Sequence, residues 1–289
     1  MQLNKIEFTK NRLRDYSSLF LRSNVNSYLK GDTSKIDYKI DRYDTHWRNK
    51  KGSTYLEYIR FVYEVMQYNY RNEYFYKNEL LNDWLIKELG QSNSKIFNEF
   101  KVGNSIADLV IFNGSSKAFE IKTELDTSKR LNSQLSDYQN IFNETYVVIP
   151  KEQIDNFCNL NYKIGIIAFN TEVNKFDLIR KARYQLNIDA SSAMQILHTK
   201  EYKTIVKNYF GELPDMTSFT MYDKCFQLIK TIPNEKLNRL FIDEMKKRKI
   251  QNELSSRYYK ELNQIFLSLN LNREKKNVLV NNLQKSIKN

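Results

Sequence analysis

The middle of the chain changes its hydrophobic period, and this change constrains the fold more than any other feature. "KIFNEFKVG", "SIADLVIFNG", "KAFEIKTEL", "ETYVVIP", "YKIGIIAFN" and "KFDLIRKA" are short runs rich in Ile, Val, Phe and Tyr, separated by turn residues such as Asn113-Gly114. Runs of this kind read as strands. Between the third and fourth lies "DTSKRLNSQLSDYQNIF", which reads as a helix with Asp126 or Thr127 as its N-cap. That connection is long enough for a parallel, right-handed crossover. Residues 1–30 read as helix, 31–52 as a polar loop with room for one short helix, and 54–89 as two helices or one bent near residues 70–72. After about residue 185 the chain is helical again. The expected organisation is an N-terminal helical region over 1–69, an α/β core over 70–184, and a C-terminal helical, basic region over 185–289.

Composition supports long, ordered elements: the 289 residues include only 7 Gly and 3 Pro, and 41% are hydrophobic. No apolar run approaches the roughly 20 residues that span a bilayer. The start, "MQLNKIEFTKNRLRDY", lacks the apolar stretch of a secretory signal. Cys158 and Cys225 form neither a disulfide framework nor zinc-ligand spacing, so the expected location is the reducing cytoplasm, with no membrane partner. The net charge of +12 favours polyanionic partners. Residues 245–289 hold eleven Lys or Arg against three Glu. Three readings of that segment are open: the solvated face of a helix, a phosphate-contacting surface, or, from Ile265, Leu269 and Leu271, an amphipathic partner or dimer helix.

The third strand carries Glu120, Lys122 and Glu124 at alternate positions, hence on one face. The strand before it carries a single acid, Asp108, amid apolar residues. If Asn113-Gly114 makes a hairpin with a three-residue loop, Asp108 stands opposite Glu120 and Phe112 opposite Ser116. A slip of one residue would send the two carboxylates to opposite faces. In the matched register they lie together, with the Lys122 ammonium about 7 Å along the same face. Two such acids gain from a hard cation between them, and Mg²⁺ suits carboxylate and carbonyl oxygens while keeping waters for substrate. An adjacent Lys can hold an attacking water or neutralise charge on a phosphate. Taken alone, the spacing is better read as an ion-pair surface at a sheet edge, because the pattern is common by chance. Glu124 reads as a structural ion pair with Lys129 or Arg130.

The following helix adds Gln134 and Tyr138, one turn apart on one face. The order Asp108, Glu120, Lys122, Gln134, Tyr138, in "ADLVIF", "FEIKTE" and "QLSDY", resembles the PD-(D/E)xK nuclease superfamily, in its RecB-like branch with the Gln-x-x-x-Tyr motif. With "RNEYFYKNELLN" upstream, the chain is also similar to a bacterial group within that superfamily associated with mobile elements and defence. The resemblance covers about residues 70–150 well, the later strands loosely, and says little of 1–50 or 185–289. It implies a restriction-endonuclease-like mixed sheet and Mg²⁺, replaceable by Mn²⁺, held by Asp108, Glu120 and the backbone carbonyl of Ile121. It also implies catalysis with Lys122, and positioning of Lys122 or nucleic acid by Gln134 and Tyr138. A Glu on the preceding helix often adds a ligand. Glu73 and Glu79 are six apart and point to different sides at about 100° per residue; Glu73 falls where the resemblance places the ligand. Asp108 follows Ala rather than Pro, a departure common in this branch.

His46 and His198 stand far apart without other catalytic signals, which argues against a His-based hydrolase. No Gly-rich phosphate loop and no Gly-x-Ser-x-Gly elbow is present. Two expectations follow from different classes. One is a Mg²⁺-dependent phosphodiesterase acting on DNA, in phage defence or mobile-element biology, with a homodimer or a defence-system component as partner. The other is a non-catalytic nucleic-acid-binding or regulatory protein that retains the nuclease fold.

Overall fold

The six apolar runs pair into one mixed sheet. In the computed structural model, which describes residues 8–89, 94–126, 129–251 and 258–288, β1 (Lys95–Val102), β2 (Ser105–Phe112), β3 (Ser116–Ile121), β4 (Glu144–Pro150), β5 (Gly165–Asn170) and β6 (Lys175–Arg180) lie side by side in chain order. Pairs β1–β2, β2–β3 and β5–β6 are antiparallel, whereas β3–β4 and β4–β5 are parallel. With its flanking helices the chain is a mixed α/β protein. The β2–β3 hairpin takes the expected register, Leu109 opposite Phe119 and Phe112 opposite Ser116. Its loop is closed by the Asn113 N–H donating to the Ser115 carbonyl at 3.0 Å. Gly114 sits there at φ +103°, a conformation that strains any side chain.

Two local details differ from the sequence expectation. β3 ends at Ile121, so Lys122 follows the strand, though its N–H still donates to Val148 at 2.9 Å and extends the ladder by one bond. The crossover helix begins at Leu131 with Arg130 as N-cap and no capping side chain, so Asp126 is not the cap; Thr127 lies outside the described residues. Leu131, Leu135 and Tyr138 face the sheet, and the cluster they join includes Val110, Phe112, Ala118 and Val147. Every residue of β4 is buried, as befits a central strand of a parallel segment. Gly165 faces Tyr146 across β4–β5, where a Cβ would stand 2.3 Å from the ring and 2.8 Å from the Ala182 nitrogen. Only a hydrogen fits that spot.

The chain divides into two units. One contains residues 83–122 and 126–250, with the whole sheet; the other contains 1–82, 123–125 and 251–289 and is helical. In the helical unit the segment expected as a polar loop with room for one short helix folds as two helices, Ser34–Tyr43 and His46–Asn49. The first of these buries Ile36 and Ile40, one turn apart, amid residues otherwise mostly polar, which hid its amphipathic face. The long helical stretch breaks at residues 70–72, between Tyr55–Asn69 and Glu73–Leu80. Asn72 caps the second by accepting from the Phe75 N–H at 3.1 Å. The C-terminal segment is built into this unit: Ile265, Phe266, Leu271, Leu279 and Leu283 are buried, and Ser286 bridges to Thr54.

Burial sets the behaviour of the phenols. Tyr16, Tyr28, Tyr58, Tyr63 and Tyr74 of the helical unit, and Tyr138 of the sheet unit, are pushed above the ordinary value of 10, chiefly by desolvation. A raised folded value means that stability is full below pH 10 and declines as pH rises beyond it, because the unfolded chain releases those protons first. The expected result is base-induced unfolding above pH 10. One fraction of tyrosinate absorbance, from exposed phenols, should precede it, and a second should appear only with loss of circular dichroism. Complete ionisation near pH 10 with the dichroism intact would contradict this.

Candidate functional site

The hairpin register and the strand alternation put Asp108 and Glu120 on the sheet face covered by the crossover helix. Asp108, on β2, accepts a hydrogen bond from the Ile121 N–H through Oδ2 at 2.7 Å. Glu120 is only 2% exposed. Its Oε1 accepts from the Lys122 ammonium at 2.7 Å, and its Oε2 accepts from the Tyr138 hydroxyl at 2.8 Å. The same ammonium donates to Gln134 Oε1 at 3.2 Å. A chain of contacts therefore runs from Tyr138 through Glu120 and Lys122 to Gln134, with Asp108 anchored to the residue between Glu120 and Lys122.

The electrostatics follow from burial. A carboxylate with almost no solvent contact is tolerated when both oxygens are paired, and removing a partner would leave an uncompensated buried charge. The Tyr138 phenol is pushed up, first by desolvation and then by the charges of Glu120 and Asp108. It stays protonated and acts as a donor to Glu120 across the physiological range. Helix geometry explains why Gln134 and Tyr138 reach one cluster: they are four residues apart, and Leu131 and Leu135 seat the helix on the sheet.

Glu73 lies in the helical unit, as the first residue of Glu73–Leu80, where it is exposed and ion-paired with Lys77 one turn on. Glu79 accepts a hydrogen bond from Tyr63, and Asp83 pairs with Lys87 at 3.0 Å. Glu124, in the helical unit, accepts from the Tyr76 hydroxyl at 3.2 Å. Among the described residues no group of three or more His, Cys, Asp or Glu side chains stands placed to hold a metal ion. His198 caps the helix Thr199–Phe210 together with Glu201. Several C-terminal cations are engaged within their own units: Arg248 grips Glu201 through two bonds of 2.8 Å, Lys247 pairs with Glu244 at 2.5 Å, and Lys276 lies 5.6 Å from the Phe266 ring centre.

One polar cluster gave no signal in the sequence. Asn143, 1% exposed, accepts from the Ser116 N–H at 2.8 Å and donates to the Gln185 carbonyl at 2.7 Å and to Asn238 at 3.1 Å. It ties the hairpin to the chain after β6. Its partners are remote in sequence, so no local pattern could have found it.

Among the described residues no helix is long and apolar enough to cross a membrane. A family model described as Bacteriophage P4 protein cII matches residues 66–286. Protein cII of Enterobacteria phage P4 is 33% identical over 134 residues, which are 45% of this chain and 51% of that protein. The chain thus spans about half the length of this curated relative. In structure the chain is similar to the SPO1766 protein of unknown function from Silicibacter pomeroyi, over 50% of this chain and 94% of that one, at 11% identity and a TM-score of 0.33.

Proposed function

We infer that this chain, which belongs to the Bacteriophage P4 protein cII family, is a metal-dependent nuclease of the PD-(D/E)xK type acting on DNA. The observation that carries the inference is the hydrogen-bonded cluster on one sheet face, in which Tyr138, Glu120, Lys122 and Gln134 join end to end beside Asp108. These are the side chains named by the resemblance of the motifs.

The donors fit a hard divalent cation: two carboxylates and the backbone carbonyl of Ile121 are all oxygen, the set that Mg²⁺ takes while retaining waters. Asp108, Glu120 and that carbonyl would hold Mg²⁺ or Mn²⁺, which when bound would polarise a phosphodiester and supply a water of lowered pKa. Lys122 sets a positive charge at the edge of the acidic pair, where it can neutralise charge developing on the phosphate. Gln134 fixes the ammonium, and Tyr138 fixes Glu120 through its other oxygen. Glu73 enters as a further ligand from the resemblance alone. The charge of +12 suits a polyanionic substrate. A cytoplasmic role in defence or mobile-element biology, as a homodimer or with a defence-system partner, belongs to the same proposal.

A second reading has an observation of its own. Both Glu120 oxygens are already hydrogen-bonded within the protein, as they would be in a non-catalytic nucleic-acid-binding or regulatory protein that keeps the fold. Incubation with linear, circular and single-stranded DNA and with RNA separates the two. The nuclease should cleave with Mg²⁺ or Mn²⁺ and stop in chelator. Asp108→Ala should lose divalent-ion affinity and cut more slowly by a factor of about 100 or more, the scale of removing one group essential to the chemistry. Absence of cleavage on every substrate with either metal would leave the second reading standing.

A further inference from the structure

A cavity of about 300 Å³ opens beside the start of β4, and no residue of the Glu120 cluster lines it. Its walls include Thr145, Tyr162, Lys163, Arg183 and Tyr184, with no carboxylate among the lining residues. Lys163 and Arg183 are held on adjacent stretches of chain by the Arg183 N–H donating to the Lys163 carbonyl at 2.9 Å. The Arg183 guanidinium also donates to the Tyr162 hydroxyl at 3.1 Å and lies 5.8 Å from that ring's centre. Both cations are exposed, and among the described residues neither forms an ion pair. Tyr162 and Tyr184 are exposed as well, at 64% and 51%.

The interior is what turns a basic rim into a site. Thr145 is 3% exposed, lines the cavity, and its hydroxyl has no hydrogen-bond partner among the described residues. A buried hydroxyl without a partner is costly unless something entering the cavity supplies one. The volume falls at the small end of the range for ligand sites, above what a bare phosphate needs. Two cations without an ion pair among the described residues at the mouth, aromatic faces beside them and an unpaired hydroxyl within match one chemistry: a phosphate, an attached π-face and a polar sugar or base edge.

We propose that this cavity binds a nucleoside monophosphate, with its phosphate between Lys163 and Arg183 and its nucleoside against Tyr162 or Tyr184 and the Thr145 hydroxyl. The group can arrive as a free nucleotide or as the 5′-phosphorylated end of a strand. The proposal rests on the cavity alone and not on the nuclease reading.

Binding is measured in chelator, so a protein that never cleaves can still pass or fail. The probes are adenosine 5′-monophosphate, inorganic phosphate, and one oligonucleotide with either a 5′-phosphate or a 5′-hydroxyl, followed by calorimetry or fluorescence anisotropy. Lys163→Gln and Arg183→Gln should each weaken nucleotide binding about tenfold, the scale of one charge-assisted bond. Thr145→Val, nearly isosteric, should weaken the nucleotide several-fold and leave inorganic phosphate unaffected. Binding of the mononucleotide identifies a free ligand; binding only of the 5′-phosphorylated strand identifies a strand end, and either supports the proposal. It is overturned if neither binds, if binding survives the Lys163 and Arg183 substitutions, or if inorganic phosphate binds as tightly as the nucleotide. Circular dichroism of each variant excludes misfolding as the cause.

Discussion

Lys122→Met should leave the protein able to bind Mg²⁺ and nearly unable to cut. Lys122 is no metal ligand; its ammonium sits 2.7 Å from Glu120 Oε1, so it competes with a cation for that oxygen. Removing the charge frees the oxygen, and divalent-ion affinity should hold or rise slightly. Cleavage should fall by about 100-fold or more, because a positive group aimed at developing charge contributes on that scale in a site where it is pre-positioned. Met keeps most of the side chain's bulk, which matters for a residue whose side chain is only 14% exposed. Tyr138 still donates to Glu120, so that carboxylate keeps one internal partner. The check is a calorimetric Mn²⁺ titration beside a cleavage time course on the same preparation. If the variant cuts at the wild-type rate, the cluster is an ion-pair surface and the nuclease reading goes with it. If cleavage falls because metal binding is lost, Lys122 acts through the ligands and its assigned role is wrong.

Much of that cluster is legible in the sequence, and the reason is geometric. Strand alternation and hairpin register are local rules, so Asn113-Gly114 and the apolar pattern around it were enough to place Asp108 opposite Glu120. One helical turn was enough to place Gln134 with Tyr138. The same rules put all six strands in the middle of the chain and the break between two helices at residues 70–72. What local rules missed is equally specific. The start of the crossover helix depends on seating Leu131 on the sheet, not on a capping side chain, so Asp126 misled. Asn143 joins Ser116, Gln185 and Asn238, whose closeness exists only after folding. Thr145 looked like any residue of a buried strand; its unpaired hydroxyl is a property of the cavity. The basic C-terminal segment left a solvated face, a phosphate-contacting surface and an amphipathic helix all open; Ile265, Leu271 and Leu279 are core of the helical unit. Deleting it would remove that core, so individual charge substitutions are the better probe of nucleic-acid contact.

Asp44→Ala should destabilise the helical unit more than any other single truncation of a polar side chain there. Asp44 ends the helix Ser34–Tyr43, in a stretch whose polar composition reads as a loop, and it is 1% exposed. Its Oδ1 accepts from the Arg12 guanidinium at 2.7 Å, and its Oδ2 accepts from the Tyr16 and Tyr58 hydroxyls at 2.6 and 2.8 Å. Both phenols are fully buried. One carboxylate therefore satisfies three donors from two helices, Lys10–Ser18 and Tyr55–Asn69, and truncating it leaves two buried hydroxyls without that acceptor and a partly buried guanidinium without its carboxylate partner. Breaking a buried charge pair from one side costs about 3–5 kcal/mol, set against a total stability of about 5–15 kcal/mol for a typical domain. The loss should appear as an earlier urea transition with its slope unchanged. Replacing the whole set by apolar groups, as Arg12→Met, Tyr16→Phe, Asp44→Leu and Tyr58→Phe together, should recover much of it, because desolvation of the charges then disappears along with their attraction. An Asp44→Ala protein that unfolds at the wild-type urea concentration would mean that water reaches these donors, and that packing of the surrounding aromatic side chains holds the three helices without the carboxylate.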